Sequence, residues 1–374
     1  DSKLPELNEN DLATIFYTSG TTGMPKGVSF THRQIILHTL ASAASLGDEP
    51  INMKSTDVIM PLVPMFHVHS WGIPYTALLK GMKYVLPGRY DFNEIPKIME
   101  KEHVSLSLMV PSILYLLMVS ENRGILPKLH LRVTIGGGAL SKGLAQKAHE
   151  IGIEVATGYG MSETAPILTL GTYNRKISEK SEDKKSEFRI KTGIPVAFVD
   201  LRVVDKSGKE VPWDSKSIGE IIVQAPWLTS EYVKDENNTK KLWIDNWMHT
   251  GDLAVVDEYG YLSIVDREKD AVKSGGEFIP TIILEDIIST FPGVNEVAVV
   301  GKHDSKWGER PVAFVSGLKV IDSKKMVDHL TNYVNSGRIA KFWIPDEFVP
   351  VEAFEKTSTG KIDKKVLRLK LGNP

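Results

Sequence analysis

The sequence contains no cysteine. Disulfides, thiolate zinc sites, iron–sulfur ligation and a thiol nucleophile are therefore excluded together. A thiol-free chain suits a reducing compartment, so a cytoplasmic protein is expected. An excess of one charge is lacking as well. Lys and Arg number 45 against 47 Asp and Glu, a formal charge of -2, which leaves no basic field to hold nucleic acid. Long apolar runs are scarce. The most apolar, Val104 to Val119, is shorter than the ~20 residues of a membrane span and is broken by Pro111. It reads as a buried strand and then a helix opened by Pro111-Ser112, so no transmembrane segment is expected. The first residues are polar and show no signal peptide. Starting at Asp1 and not at Met, the sequence reads as a fragment or a processed chain.

What is present is an ordinary globular composition, 42% hydrophobic over 374 residues, enough for two or three domains. In the first half, the strand-like runs LATIFYT, DVIMPLV, KYVLPG, SLSLMV, LRVTIGG and IEVATGYG alternate with amphipathic stretches such as FNEIPKIMEKE and SKGLAQKAHEI. That alternation predicts a largely parallel sheet with helices on its faces. The charged run at 174–191 mixes both signs and is expected to be a solvated, mobile insertion. VDLRVVDKSGKEV, IGEIIVQA and the hairpin DLAVVDEYGYLSIVDR then read as a small barrel or meander. Beyond Asp266 come a helix near LEDIISTF, strands NEVAVVG and PVAFVSG, a helix DSKKMVDHLTNYV and a basic tail. The predicted class is α/β and α+β. Residues 1–266 form a large N-terminal domain of βα-layered sheets plus a partial small β-barrel, and 267–374 form a small mobile α+β domain.

Four loops carry the chemistry. In Tyr17-Thr-Ser-Gly-Thr-Thr-Gly-Met-Pro-Lys26-Gly27, four aliphatic hydroxyls and three glycines follow a strand and close on a lysine. Glycines bring backbone N–H groups to phosphate oxygens, hydroxyls donate, and Lys26 supplies a charge, so the loop suits a polyphosphate. Gly27 after Lys26 rules out a Walker loop. Gly158-Tyr-Gly-Met-Ser-Glu-Thr164 can admit a flat ring between Gly158 and Gly160, with Tyr159 to stack and Glu163 suited to Mg²⁺; it lacks the third glycine of a dinucleotide fingerprint. Gly136-Gly-Gly-Ala139 alone is a tight turn. Trp247-Met-His-Thr-Gly-Asp252 with the later Asp266-Arg267 offers a carboxylate and a guanidinium for two ribose hydroxyls, or merely a surface ion pair. Lys356-Thr-Ser-Thr-Gly-Lys361 places a cation in a Ser/Thr-rich loop. His67 reads equally as a pocket residue or a satisfied core histidine, and no third ligand is spaced to join His67 and His69 on a metal.

Together, and in this order, the loops resemble the adenylate-forming acyl-CoA synthetases, fatty acyl-CoA synthetases in particular. Pro64-Met-Phe-His-Val-His-Ser-Trp71-Gly72 and Lys273-Ser-Gly-Gly-Glu-Phe278-Ile279 are similar to segments of that subgroup, with His69 and Ser70 departing from it. The resemblance implies ATP, Mg²⁺ and CoA, a fatty or other carboxylic acid, and a homo-oligomer in the full-length form. It implies that Thr18, Ser19, Gly20, Thr21, Thr22, Gly23 and Lys26 cradle the β- and γ-phosphates, that Ser162 touches the α-phosphate, and that Glu163 binds Mg²⁺. Gly136, Gly137 and Gly138 with Gly158, Tyr159, Gly160 and Met161 would enclose adenine, and Asp252 and Arg267 would hold the ribose. Ile264, Gly275 and Gly276 join the cofactor-binding set, and His67, Val68 and Trp71 line the acyl pocket. Lys361 would be the adenylation lysine, Lys269 the hinge and Lys273 part of the segment that swings in for the thioester step. The family carries a substantial portion ahead of the phosphate loop, where here only sixteen residues precede Tyr17. The alternatives are therefore a nucleotide-binding fragment without full activity, or a ligase for an aryl or short-chain acid.

Overall fold

The computed structural model describes residues 6–18, 25–356 and 362–372. β1 (Leu12–Thr18) and β2 (Lys26–Thr31) form an antiparallel hairpin with Thr18 opposite Lys26. The phosphate-type loop thus joins two antiparallel strands, although the βα rhythm suggested a strand feeding a parallel sheet. α1 (His32–Ser45) starts on a capping box: the Thr31 hydroxyl accepts from the Gln34 amide, and the Gln34 side chain accepts from the Thr31 amide.

The main sheet is built from β3 (Val58–Ile59), a single turn α2 (Val68–Trp71), α3 (Ile73–Lys80), β4 (Lys83–Tyr84), α4 (Ile95–Glu102), β5 (Leu106–Met109), α5 (Pro111–Val119), β6 (Arg132–Ile135), α6 (Lys142–Glu150) and β7 (Glu154–Gly160). Its strands run parallel in the order β4-β3-β5-β6-β7. The run DVIMPLV yields a two-residue strand, beyond which the Met60 and Leu62 amides still donate to the Leu106 and Leu108 carbonyls on either side of Pro61. One face, with Ile59, Leu106, Leu108 and Ala156, packs on α1 and α3. The other, with Met109, Val133, Ile135 and Val155, packs on α4, α5 and α6. Burial on both sides explains why these strands read as continuous apolar runs.

β8 (Ile167–Leu170) adds antiparallel to β7. The charged stretch that follows is not an open solvated insertion. It folds into α7 (Arg175–Ser178) and α8 (Glu182–Phe188), whose Ile177 and Phe188 bury against Tyr261, while the buried Arg189 pairs with Glu182 and Glu154. Two apolar anchors among many charges were enough to dock it. β9 (Ile194–Pro195) closes the seven-stranded sheet antiparallel to β8.

β10 (Asp200–Val204), β11 (Gly219–Gln224), α9 (Glu236–Leu242), β12 (Trp243–Ile244), β13 (Trp247–Val256) and β14 (Leu262–Arg267) follow; their strands make one antiparallel sheet, β10-β11-β13-β12 with β14 on β13. A third sheet comprises β15 (Val272–Ser274), β16 (Glu277–Ile279), β17 (Glu296–Asp304), β18 (Gly308–Ser316) and β19 (Glu347–Val351), the last parallel to β18. α10 (Thr281–Ser289) and α11 (Ser323–Asn335) pack on one face, and α12 (Lys364–Lys370) packs through Leu367 on the other. Among the described residues no helix is long and apolar enough to cross a membrane.

Candidate active site

The segment leaving β7 is the spine of the site. Glu163 lies on a short turn, Ser162–Thr164, whose carbonyls are held from across the molecule: Thr229 N–H donates to Glu163 O and the Trp227 indole to Thr164 O. The Glu163 carboxylate is buried, and its Oε1 accepts the Tyr232 hydroxyl at 2.6 Å. Burial, with the Glu163 charge beside it, raises the Tyr232 hydroxyl far above its ordinary range, so it remains a donor at neutral pH. The Lys26 ammonium stands 4.6 Å from the centre of the Tyr232 ring. Tyr232 is fixed in turn by the Val28–Tyr232 bridge and by Val233 N–H donating to Gly27 O. A hard anionic oxygen and a cation thus meet at the base of the hairpin whose ends are Thr18 and Lys26. Ser19, Gly20, Thr21, Thr22 and Gly23 lie outside the described residues, as does Lys361.

Four residues before Glu163, Tyr159 points its hydroxyl to Asp252 Oδ2 at 2.7 Å. Asp252 Oδ1 receives Arg267 Nε at 3.2 Å, because β13 and β14 place Asp252 directly opposite Arg267. Burial pushes the Asp252 carboxyl up from its ordinary value, opposed by the Arg267 charge and the Tyr159 hydroxyl. Burial beside Asp252 likewise raises Tyr159. The second and third loops are therefore one cluster, which the sequence could not show.

The glycines expected to admit a flat ring lie against one indole. A Cβ on Gly136 would stand 2.9 Å from Trp71 Cη2 and 3.3 Å from Gly158 O, and one on Gly137, at φ +72°, 3.2 Å from Val110. Gly138 follows with Pro111 nearby. Gly160 has a different reason for being glycine: a Cβ there would fall inside the Pro166 carbonyl. Met161 caps the Ser162 turn, its N–H donating to Thr164 Oγ1. Trp71 is carried by a run of left-handed residues, Val68, His69, Ser70, Trp71 and Gly72, all at φ between 46° and 71°. Four of these are not glycine, and each such residue costs roughly 1–2 kcal/mol. Buried Val68 and the Ser70 hydroxyl, which donates to Val63 O, hold the turn.

His67 is exposed, which corrects the reading of it as a core histidine. The core histidine is His38, 2% exposed, whose Nε2 accepts the Ile167 amide at 3.1 Å. His69 sits between Tyr75 and Thr14, whose hydroxyls meet its two ring nitrogens. Among the described residues no three His, Asp or Glu side chains form a metal cluster. Ile264, half-buried in β14, is fixed by its amide donating to Thr192.

Lys269, Lys273, Gly275 and Gly276 lie past β14. Lys269 occupies the turn after Arg267, and Lys273 pairs with Glu268 at 3.1 Å. Gly275 and Gly276, at φ +60° and +87°, make the two-residue turn joining β15 to β16, a geometry that only glycine adopts freely at both positions. This turn is separate from the Asp252 cluster; its Gly276 carbonyl accepts Lys206 at 2.7 Å. Two residues escaped the sequence reading. Tyr232 lies in a polar stretch with no motif around it, and Trp307, 46% exposed, stands beside Gly275.

Residues 1–233 match the family model described as AMP-binding enzyme, and residues 284–361 match the AMP-binding enzyme C-terminal domain. The chain is 40% identical over 355 residues to a long-chain-fatty-acid–CoA ligase of Thermus thermophilus, covering 94% of this chain and 64% of that ligase. It is 36% identical over 373 residues to a medium-chain-fatty-acid–CoA ligase of Ectopseudomonas oleovorans, covering 99% and 67%. It thus spans about two thirds of the length of these curated relatives. Among solved structures, the o-succinylbenzoate CoA synthetase of Bacillus subtilis in complex with its acyl-adenylate intermediate superposes with a TM-score of 0.79 at 26% identity, over 96% of this chain and 70% of that one.

Proposed function

This chain belongs to the AMP-binding enzyme family, and from that premise we propose that it is the greater part of an AMP-forming acid–thiol ligase acting on a fatty acid. A carboxylate oxygen attacks the α-phosphorus of ATP, forming acyl-adenylate and releasing pyrophosphate. The CoA sulfur, having given up its proton, then attacks the acyl carbon, forming the thioester and releasing AMP. The observation that carries this is the continuity of one segment: Tyr159 reaches Asp252 and, four residues on, Glu163 accepts Tyr232, so one short stretch of chain joins a carboxylate suited to a diol to one suited to a metal.

On this reading Asp252 and Arg267 receive the ribose hydroxyls, and Lys26 with the loop after Thr18 receives the phosphates. Glu163 would hold Mg²⁺, whose charge would stabilise the phosphates; its buried oxygen donor suits that hard cation. Lys361 meets the α-phosphate and the attacking carboxylate as a fixed charge. Trp71, in its left-handed turn against Gly136, would divide the nucleotide glycines from the acyl side. The hairpin of Lys273, Gly275 and Gly276 serves the thioester step, in which the C-terminal domain swings about Lys269. The fatty acid is favoured by the names of the two relatives; the o-succinylbenzoate enzyme marks the aryl alternative.

Carboxylate-dependent ATP–pyrophosphate exchange in the full-length protein, from acetate to palmitate with benzoates included, tests this. Exchange with medium or long acids is the expected result; exchange with benzoates alone overturns the acyl class, and none with any acid overturns the activity. A nucleotide-binding piece without catalysis is the second reading for the 374 residues by themselves, favoured by the exposed Leu12, Ile36, Leu78 and Leu79 on β1, α1 and α3.

A further inference from the structure

The turn that follows β14 is held from two directions. On one side, Arg267 reaches Asp252. Its carbonyl also accepts the amides of Asp270 and Ala271, both at 2.8 Å, which closes the turn around Lys269. On the other side stands α12. Arg368 Nη2 donates to the Lys269 carbonyl at 3.1 Å and to Asp270 Oδ1 at 2.8 Å. One helical turn earlier, Lys364 donates to Glu285 Oε1 and to Thr281 Oγ1, each at 2.7 Å. Thr281 in turn donates its amide and hydroxyl to buried Asp266 Oδ2, at 2.5 and 2.7 Å. Residues 364 and 368 share a helix face, and that face holds both ends of the span from Asp266 to Asp270.

We infer that Arg368 is a positioning residue that clamps the turn at Lys269 and thereby sets the balance between the two half-reactions. The inference rests on the proposed two-step reaction and on reorientation about Lys269. Swinging the C-terminal domain changes ψ at Lys269 or its neighbours, and the carbonyl that ψ directs is the one Arg368 holds. Nη2 alone grips that carbonyl and the next side chain together, and the planar guanidinium fixes the directions of its two hydrogens, where those of an ammonium rotate. The clamp also faces the nucleotide site: Arg267, which closes the turn with its carbonyl, holds Asp252 with its side chain. Release of α12 and occupancy at Asp252 therefore act on one short stretch of backbone.

The test uses full-length protein and three variants, Arg368→Met, Arg368→Lys and Asp270→Asn. Pyrophosphate exchange reads the first half-reaction, and thioester formation from preformed acyl-adenylate and CoA reads the second. Trypsin cleavage after Arg267 or Lys269 reads the turn independently of catalysis. Arg368→Met is expected to change the ratio of the two rates about tenfold, within the usual range of coupling between sites. Arg368→Lys is expected to recover part of that shift, and Asp270→Asn to move the ratio in the same direction as Arg368→Met with the thermal midpoint preserved. Cleavage is expected to be faster in Arg368→Met. Equal loss in both half-reactions, or an unchanged ratio, overturns the inference. If the unmodified protein performs neither half-reaction, the proposed function fails. Cleavage then decides the clamp alone, with an unchanged rate against it and a faster rate for it.

Discussion

Tyr232 donates its hydroxyl to Glu163 at 2.6 Å while its ring supports the Lys26 ammonium 4.6 Å from its centre. One side chain thus orients both charges of the proposed metal–phosphate corner. Tyr232→Phe keeps the ring and deletes the donor, leaving a buried carboxylate short of a hydrogen bond worth about 1.5–3 kcal/mol. The apparent KM for Mg·ATP in pyrophosphate exchange should rise about tenfold, and that for the carboxylate should stay unchanged. Tyr232→Ala should lose more, because the cation–π contact adds about 0.5–2 kcal/mol. A rise in the carboxylate KM alone would count against Glu163 as the metal carboxylate.

Asp252, the proposed ribose carboxylate, sits in a place that stability resists. Burial raises its folded pKa above the ordinary 3.8, the Arg267 charge only partly opposing it. A raised pKa means that the protonated form is favoured by folding, so its contribution is complete below 3.8 and is lost as pH climbs through the raised value. At neutral pH the ionised carboxylate therefore burdens the fold. Asp252→Asn should hold or raise the thermal midpoint at pH 7 and flatten its dependence on pH above 3.8. Nucleotide affinity, measured by calorimetry, should fall by about 1.5–3 kcal/mol with the charged acceptor gone. A lower midpoint at pH 7 would show that the bonds to Tyr159 and Arg267 outweigh burial.

The βα rhythm around SLSLMV, LRVTIGG and IEVATGYG was legible because doubly buried strands are continuously apolar, and the two helices on FNEIPKIMEKE and SKGLAQKAHEI because their apolar residues recur at helical spacing. The turn of the hairpin DLAVVDEYGYLSIVDR was legible from Gly260, which takes φ +84°. What composition hid was docking: Ile177 and Phe188 anchor a stretch that charge alone marks as solvated. Pairings between distant loops were hidden for a related reason. The Tyr159–Asp252 bond spans 93 positions, and the Asp252–Arg267 pair depends on the register of β13 against β14, neither of which a local pattern encodes. Tyr232 was invisible altogether, since its partner lies 69 residues away and its neighbours carry no motif.

His38 should leave a measurable mark on acid stability. It is enclosed by Trp227 and the Gly72 turn, and burial lowers its pKa from 6.5 to about 3. It is therefore neutral in the fold, and since Nε2 accepts from the Ile167 amide, the proton is assigned to Nδ1. With the folded pKa depressed, stability is fully present above 6.5 and drains away as pH falls toward 3, because only the unfolded chain takes up the proton. The slope is about 1.4 kcal/mol per pH unit. His38→Gln can still accept the amide bond but does not titrate. Between pH 7 and pH 5, urea unfolding should cost the unmodified protein about 2 kcal/mol more than this variant. Parallel losses in both would show that His38 is not the group responsible.

The paired glycines of β7 separate a ligand role from a packing role within one strand. At Gly158 an added Cβ would meet Leu170 Cδ2 at 3.3 Å and Thr134 Cγ2 at 3.5 Å, both ends of side chains that can give a few tenths of an ångström. At Gly160 it would enter the Pro166 carbonyl, backbone that is itself held by the Thr164 hydroxyl. Gly158→Ala should fold with a loss of about 1–2 kcal/mol, and any larger defect should appear in adenine-nucleotide affinity. Gly160→Ala must displace backbone on one strand or the other, and should lose 3 kcal/mol or more, a cost of the order seen when cores are overpacked. Denaturant unfolding of the two variants, alongside ATP binding, distinguishes the roles. Equal stability of both variants would mean that β7 and β8 can separate at Gly160, and that glycine is needed there for the ligand and not for the sheet.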